Sequence, residues 1–133
     1  MKRLNVSRLA GALALSLLVG VGVGSHAVKA QSEPLETYVA RLSEQDHFNS
    51  SGARLRTAAG IIRQDRANYY EFGRRDPEDT ADAFFASKAN RARLEYMLLH
   101  GRISAATNNE IVNHTPLIVV KVYENFIDVD VYR

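Results

Sequence analysis

Hydrophobic and polar positions divide this chain into three regimes. Leu9 to Gly24 is an apolar run without a charge, the middle of the chain repeats apolar residues at helical spacing between turn residues, and the last stretch is dense in β-branched and aromatic residues. In the middle regime Ser32, Glu33 and Pro34 predict a helix start, with Pro34 at the first position and Leu35, Tyr38, Val39 and Leu42 on one face. A strand through Tyr38 to Leu42 is the alternative. The polar stretch from Asp46 to Gly52 predicts a turn. The longest helix follows from about Ala53 to Phe72, capped by Ser50 or Ser51 and ended by Gly73.

Arg74 to Thr80 reads as a loop around Pro77, after which Asp79 or Thr80 caps a short helix carrying Ala83, Phe84 and Phe85. Ser87 caps another, in which Leu94, Met97 and Leu98 form the buried stripe and Gly101 is the stop. Ser104 to Val112 fits a last short helix, ended by Asn113 before Pro116. Leu117 to Tyr123 and Phe126 to Tyr132, joined by Glu124 and Asn125, predict a hairpin. Its second strand alternates Ile127, Val129 and Val131 with Asp128 and Asp130, so one face is buried and the other wet. Its first strand is apolar on both faces except for Lys121, which requires something to pack over it. The expected fold class is α+β: a single small domain, residues 31–133, of three to five helices packed on a C-terminal β-hairpin.

The first regime has a different meaning. Lys2, Arg3 and Arg8 precede the apolar run, and Val28, Lys29 and Ala30 put small residues three positions and one position before Gln31, the pattern of a cleaved export signal. Cleavage after Ala30 is expected, with Ala27 as a second acceptable site. A run of about 16 residues diluted by Gly20, Gly22 and Gly24 is short for a spanning helix, so no stable membrane anchor is expected after cleavage.

Removing residues 1–30 reverses the charge. They carry four of the 17 basic residues and none of the 15 acids, which leaves 13 bases against 15 acids and a formal charge of −2. That balance removes the electrostatic footprint of a nucleic-acid partner. Absence of cysteine excludes a disulfide frame, a thiolate metal site and a cysteine nucleophile. There is no repeat and no low-complexity tract, consistent with one domain.

On a wheel at 100° per residue with Leu55 at zero, Ala58, Ala59, Ile62 and Tyr69 fall within about 60°, while Arg66 lies at about 20° and Asp65 at about −80°. Charges on a core-facing arc need partners, so Asp65 and Arg66 are candidates for a structural ion pair, with Asp46, Asp79 or Asp82 as further carboxylates for Arg66. Arg63 sits at the rim and Gln64 points to solvent. Just before the long helix, Asp46, His47, Asn49 and Ser50 form the second cluster; an Asp beside a His can orient an imidazole as a base or a ligand. The competing structural reading is that Asp46 and Asn49 cap turns while His47 donates to a backbone carbonyl.

No HExxH spacing and no GxSxG elbow occurs, and Asp76, Glu78, Asp79 and Asp82 do not fit a calcium loop, so neither a metal nor a cofactor is expected. His100 reads as a cation at a helix end and His114 as a loop residue. Phe84, Phe85 and Tyr96 read as core before they read as a ligand platform. Asn49, Ser50, Ser51 and Asn113, His114, Thr115 both match the glycosylation acceptor pattern, relevant only in a eukaryotic exporter.

The block LSEQDHFNSSGARL followed by AAGIIRQDRANYYEFG resembles a segment recurring in short exported bacterial proteins, and covers about a third of residues 31–133. The resemblance implies bacterial export, hence the periplasm or the medium, and transfers no activity, cofactor or catalytic residue. The leading expectation is an exported non-catalytic domain that binds a protein or a cell-envelope component around the Asp46–Ser50 turn and the helix rim, with Asp46, His47, Asn49 and Arg63 as binding residues. The alternative is a small hydrolase using His47 as general base. An enzyme also needs a nucleophile and a charge stabiliser within reach, and the sequence offers no candidate pair.

Overall fold

A computed structural model describes residues 32–133; the expected export signal lies on residues outside the described ones. The elements in chain order are strand β1 (Glu36–Arg41), a 3-10 turn (Glu44–His47), helices α1 (Ala58–Glu71), α2 (Lys88–Ala92) and α3 (Leu94–Leu99), strand β2 (Arg102–Ile103), helix α4 (Ala105–Asn113), and strands β3 (Leu117–Val122) and β4 (Ile127–Val131). The four strands form a mixed sheet ordered β1-β3-β4-β2, in which β3 is antiparallel to both β1 and β4 and β2 runs parallel to β4. This is an α+β arrangement in which the expected C-terminal hairpin, β3–β4, forms the middle of a wider sheet.

The helix expected after Pro34 is a strand, as the alternative reading had it. Its residues pair with β3 from Glu36↔Val122 to Arg41↔Leu117, so Tyr38, Ala40 and Leu42 alternate into the core while Leu35 is exposed. Both spacings are present in the sequence, and the partner strand nearly 80 residues later decides between them. The free edge of β1 is closed by the loop before α2. Thr80 exchanges hydrogen bonds with both backbone groups of Val39, and the Asp79 carboxylate accepts from the Arg41 N–H at 2.8 Å. An edge strand left open would template pairing with another chain. Asp79 and Thr80 are thereby occupied, and the short helix expected at Ala83–Phe85 is a set of turns that Asp82 caps by accepting from the Phe85 N–H at 2.5 Å.

The long helix begins at Ala58, with Thr57 accepting from the Gly60 N–H, rather than at Ala53. Asn49 explains the delay: its side-chain oxygen accepts from the N–H groups of Ser51 and Ala53 and from the Ser51 hydroxyl, and Leu55 N–H donates to the His47 carbonyl at 2.7 Å. Those bonds hold residues 51–55 in a turn and a short bridge, Phe48↔Arg54, that helical geometry would break. Gly73 ends α1 at φ +64°, where a Cβ would be strained. Ser87 caps α2 as expected and Ser104 caps α4, while the single helix expected from Ser87 to Gly101 is two, α2 and α3, with Leu94, Met97 and Leu98 on the second. Gly101 does more than stop a helix, since a Cβ there would sit 1.6 Å from the Ile127 carbonyl oxygen; only glycine lets β2 approach β4 this closely.

The core joins Tyr38, Ala40 and Leu42 of the first strand segment to Ile61 and Ile62 of α1, Leu94 and Met97 of α3, Ile111 of α4, and the inward row Ile118, Val120, Val122, Ile127 and Val129. Phe85 is fully buried and meets Tyr38 edge to face, but Tyr96 is exposed and stacks on His100 instead of entering the core. The outward row is also unlike the expected one. Asp128 is buried while Asp130 stays exposed, because the parallel strand β2 brings Arg102 beside Asp128. Among the described residues no helix is long and apolar enough to cross a membrane.

Candidate functional site

The 3-10 turn before α1 is held by its own carboxylate. Asp46 accepts from the N–H and the hydroxyl of Ser43 through one oxygen, at 2.9 and 3.1 Å, and from the Asn68 amide through the other at 2.7 Å. Burial raises the Asp46 carboxyl above its ordinary value, against those hydrogen bonds. His47 is buried beside it. Its Nδ1 lies 2.9 Å from the Ser43 carbonyl and its Nε2 lies 2.8 Å from the carbonyl of Ile111, in the last turn of α4. Both ring nitrogens are thus engaged by backbone carbonyls of the fold. The ring ties the turn to a helix end whose last carbonyls lack partners within the helix. Neither nitrogen is left to take a proton from a ligand, which general-base chemistry requires.

The second buried group centres on Arg66, the largest fully buried side chain. Its Nε donates to Asp65 at 2.7 Å and its Nη1 to Asp82 at 3.1 Å and to the Thr80 carbonyl at 3.0 Å, and its guanidinium lies over the rings of Tyr38 and Tyr69. Asp65 and Arg66 therefore form the ion pair that the wheel pointed to. Of the three further carboxylates considered for Arg66, Asp82 is the one that reaches it. Two carboxylates share one guanidinium here, and they are not equivalent. Asp82 also accepts from Phe85 N–H and from the Tyr70 hydroxyl, whereas Asp65 has Arg66 as its sole donor among the described residues. Desolvation pushes the Asp65 carboxyl up to about 7, with Arg66 opposing it. The group fastens α1 to the Thr80–Phe85 turns under β1.

Of the residues proposed for binding, Asp46 and His47 are buried, Asn49 reaches a surface cleft, and Arg63 lies on a different part of α1, in a separate depression with Lys88 and Arg91. The four do not form one site. The cleft at Asn49 has a volume of about 400 Å³ and runs between the turn and one stripe of α1. Gln45, Phe48 and Asn49 form one wall; Gln64, Asn68 and Phe72, four residues apart along the helix, form the other. Arg74 closes an end. Its position follows from Gly73, whose left-handed backbone turns the chain so that Arg74 N–H returns to the Asn68 carbonyl at 2.9 Å.

A relay of amides makes the floor. Gln64 donates to Asn68 at 3.0 Å, and Asn68 donates to the buried Asp46 carboxylate. Asp46 thus acts on the cleft from behind, by fixing which way the Asn68 amide points. Two phenyl rings flank the floor, each with a guanidinium nearby: Arg54 at 5.6 Å from the Phe48 centroid and Arg74 at 5.9 Å from that of Phe72. Phe72 is 52% exposed, an unusual placement for a phenyl ring on a helix end. Gln64, Asn68 and Phe72 were missed in the sequence, although their spacing of four marks a shared face. Among the described residues no group of three or more His, Cys, Asp or Glu is placed to hold a metal ion. Comparison with family models, with curated proteins and with solved structures finds no match for this chain.

Proposed function

We propose that residues 31–133 are an exported, non-catalytic binding domain, released into the periplasm or the medium by removal of residues 1–30, whose partner is a protein of the cell envelope or its surroundings. The observation that carries the reading is the cleft between the 3-10 turn and α1, where amides are interleaved with two accessible phenyl rings. Side-chain amides donate and accept at once, which suits the alternating N–H and C=O groups of an extended peptide, and the rings suit its apolar side chains. The fixed orientation of Asn68 lowers the cost of ordering the site on binding. Support for export comes from the charged start, the apolar run and the small residues ending at Ala30.

Two measurements test this reading. The exported product should have the mass of a chain beginning at Gln31, and full-length chain retained in membranes would refute the localisation. Immobilised wild-type domain should retain an envelope protein that the double variant Gln64→Ala, Phe72→Ala releases, with unchanged thermal melting of the variant. Equal retention by both proteins would remove the cleft from the function.

A further inference from the structure

We propose that Asp46 is a positioning residue that sets the hydrogen-bonding polarity of the cleft, and that protonating it reverses the amide relay, so that the Gln64 terminus changes from acceptor to donor. The inference rests on the reading of that cleft as the binding site, and it adds the group that controls what the site recognises. Three side chains in series carry it. The Asn68 amide donates to one Asp46 oxygen at 2.7 Å, the Gln64 amide donates to the Asn68 oxygen at 3.0 Å, and the Gln64 oxygen is left to the cleft.

An ionised carboxylate only accepts, so the orientation of the first amide is not free. Asn68 turns its NH2 toward Asp46, its oxygen then faces Gln64, and Gln64 answers with its own NH2. Asp46 and Asn68 are both buried, so the pair must satisfy itself. A protonated Asp46 inverts each step. The oxygen facing Asn68 takes that one hydrogen bond, whereas the other already accepts from both the N–H and the hydroxyl of Ser43, so the proton belongs on the first. An O–H there needs an acceptor, which Asn68 supplies by turning its oxygen inward; its NH2 then faces Gln64, and Gln64 follows. Half a turn of an amide exchanges O and NH2 in nearly the same volume, so packing does not oppose the change.

The surroundings of Asp46 favour such a change over a permanent charge. It takes part in none of the ion pairs among the described residues. Asp65 of α1 and Asp76 of the loop after it add negative charge nearby. On its own turn, Glu44 faces Arg54, and His47 turns to the carbonyls of Ser43 and Ile111; Arg74 lines the far end of the cleft. Burial, with Asp76 adding to it, holds the Asp46 carboxyl above its ordinary value against the hydrogen bonds from Asn68 and Ser43. In the ionised state the Gln64 terminus takes a peptide N–H, and in the protonated state it takes a peptide carbonyl. An extended segment matched to one state is mismatched to the other.

The test is a magnetic-resonance pH series, from about pH 8 to about pH 4, on isotope-labelled protein purified from the exporting cell. The Asp46 carboxyl carbon gives the titration, and the side-chain NH2 groups of Asn68 and Gln64 report the relay. The expected result is one shared midpoint, with the Overhauser contacts of the Asn68 NH2 passing from the Asp46 methylene to the Gln64 side chain as pH falls. Because Asp65 adjoins Gln64 in the chain and titrates too, the series is repeated in Asp65→Asn, where the shared midpoint should persist. Asp46→Asn gives a second reading. The two Ser43 donors hold its amide oxygen, its NH2 faces Asn68, and the variant should show the acid pattern at every pH. Asn68 and Gln64 amides that keep one pattern across the wild-type series would overturn the proposal, since the proton would then sit against the Ser43 hydroxyl. So would a folded Asp46→Asn protein with the neutral-pH pattern; if that variant does not fold, the wild-type series decides alone. None of these readouts needs a partner, so the relay can fail while the Gln64→Ala, Phe72→Ala comparison still shows binding, and the reverse.

Discussion

Raising the pH from about 5 to about 8 should weaken this fold through Asp65, opposite to the usual behaviour of a paired carboxylate. A carboxylate helped by its partner has a lowered folded-state value and stabilises the protein above its unfolded value. Here burial wins over the guanidinium, because one Arg66 serves two carboxylates and Asp82 holds the additional donors from Phe85 and Tyr70. The folded value is pushed up to about 7 from an ordinary 3.8. Between these two values the native state keeps a proton that the unfolded chain has released, so unfolding releases protons and stability falls as pH rises. The stabilisation of the protonated form is complete below the unfolded value and is lost as pH approaches the folded one.

The magnitude follows from the interval. One proton changes stability by up to about 1.4 kcal/mol per pH unit, so the span from 3.8 to about 7 integrates to about 4 kcal/mol, of which the part between pH 5 and about 7 carries about 3 kcal/mol. That figure is a ceiling, since water reaching the ion pair at high pH recovers part of the loss. Asp46, also raised by burial, acts in the same direction. Urea melts at constant ionic strength from pH 5 to pH 8 read the effect as a falling midpoint. Asp65→Asn keeps the shape and an acceptor for Arg66 Nε without the ionisation, and should flatten the profile and equal or exceed the wild type at pH 8. A wild type more stable at pH 8 than at pH 5, or an Asp65→Asn variant with the wild-type slope, would refute the reasoning.

Other changes probe the same framework. Arg66→Ala strands Asp82 and Asp65 in the core and should cost about 4 kcal/mol, whereas Arg66→Met refills the volume between Tyr38 and Tyr69 and should cost less in the same urea melts. Gly101→Ala forces a Cβ onto the Ile127 carbonyl and should cost more than about 3 kcal/mol, read as a lowered melting temperature and lost amide protection in β2. His47→Asn cannot bridge Ser43 and Ile111 and should cost about 2 kcal/mol with faster hydrogen exchange at the end of α4; an unchanged melt would mean the two carbonyl contacts contribute nothing.

What could be read along the chain was what depends on near neighbours. Arg66 was placed in the core because helical periodicity is local, and the choice of Asp82 as partner was then a choice among few acids. The cap Ser87 and the β3–β4 pair are local in the same sense. Where the expectation failed, a distant residue decided. Residues 35–42 satisfy both helical and alternating spacing, and only β3 selects the second. Alternation put Asp128 in water, but it could not foresee a two-residue parallel strand that arrives with Arg102 and turns a surface acid into a buried one.

The failures also explain why the binding residues were only partly found. Adjacent Asp46 and His47 suggested one reactive cluster, yet neighbours in a tight turn point in different directions: one toward Asn68 of α1, the other toward Ile111 of α4. The surface side chains that make the cleft are those least constrained by folding, Gln64 and Phe72, and folding patterns carry little signal for them. Their legible trace is the mismatch itself. A phenyl ring exposed at the end of a helix adds little to the core, so its exposure is explained more simply by a ligand than by stability.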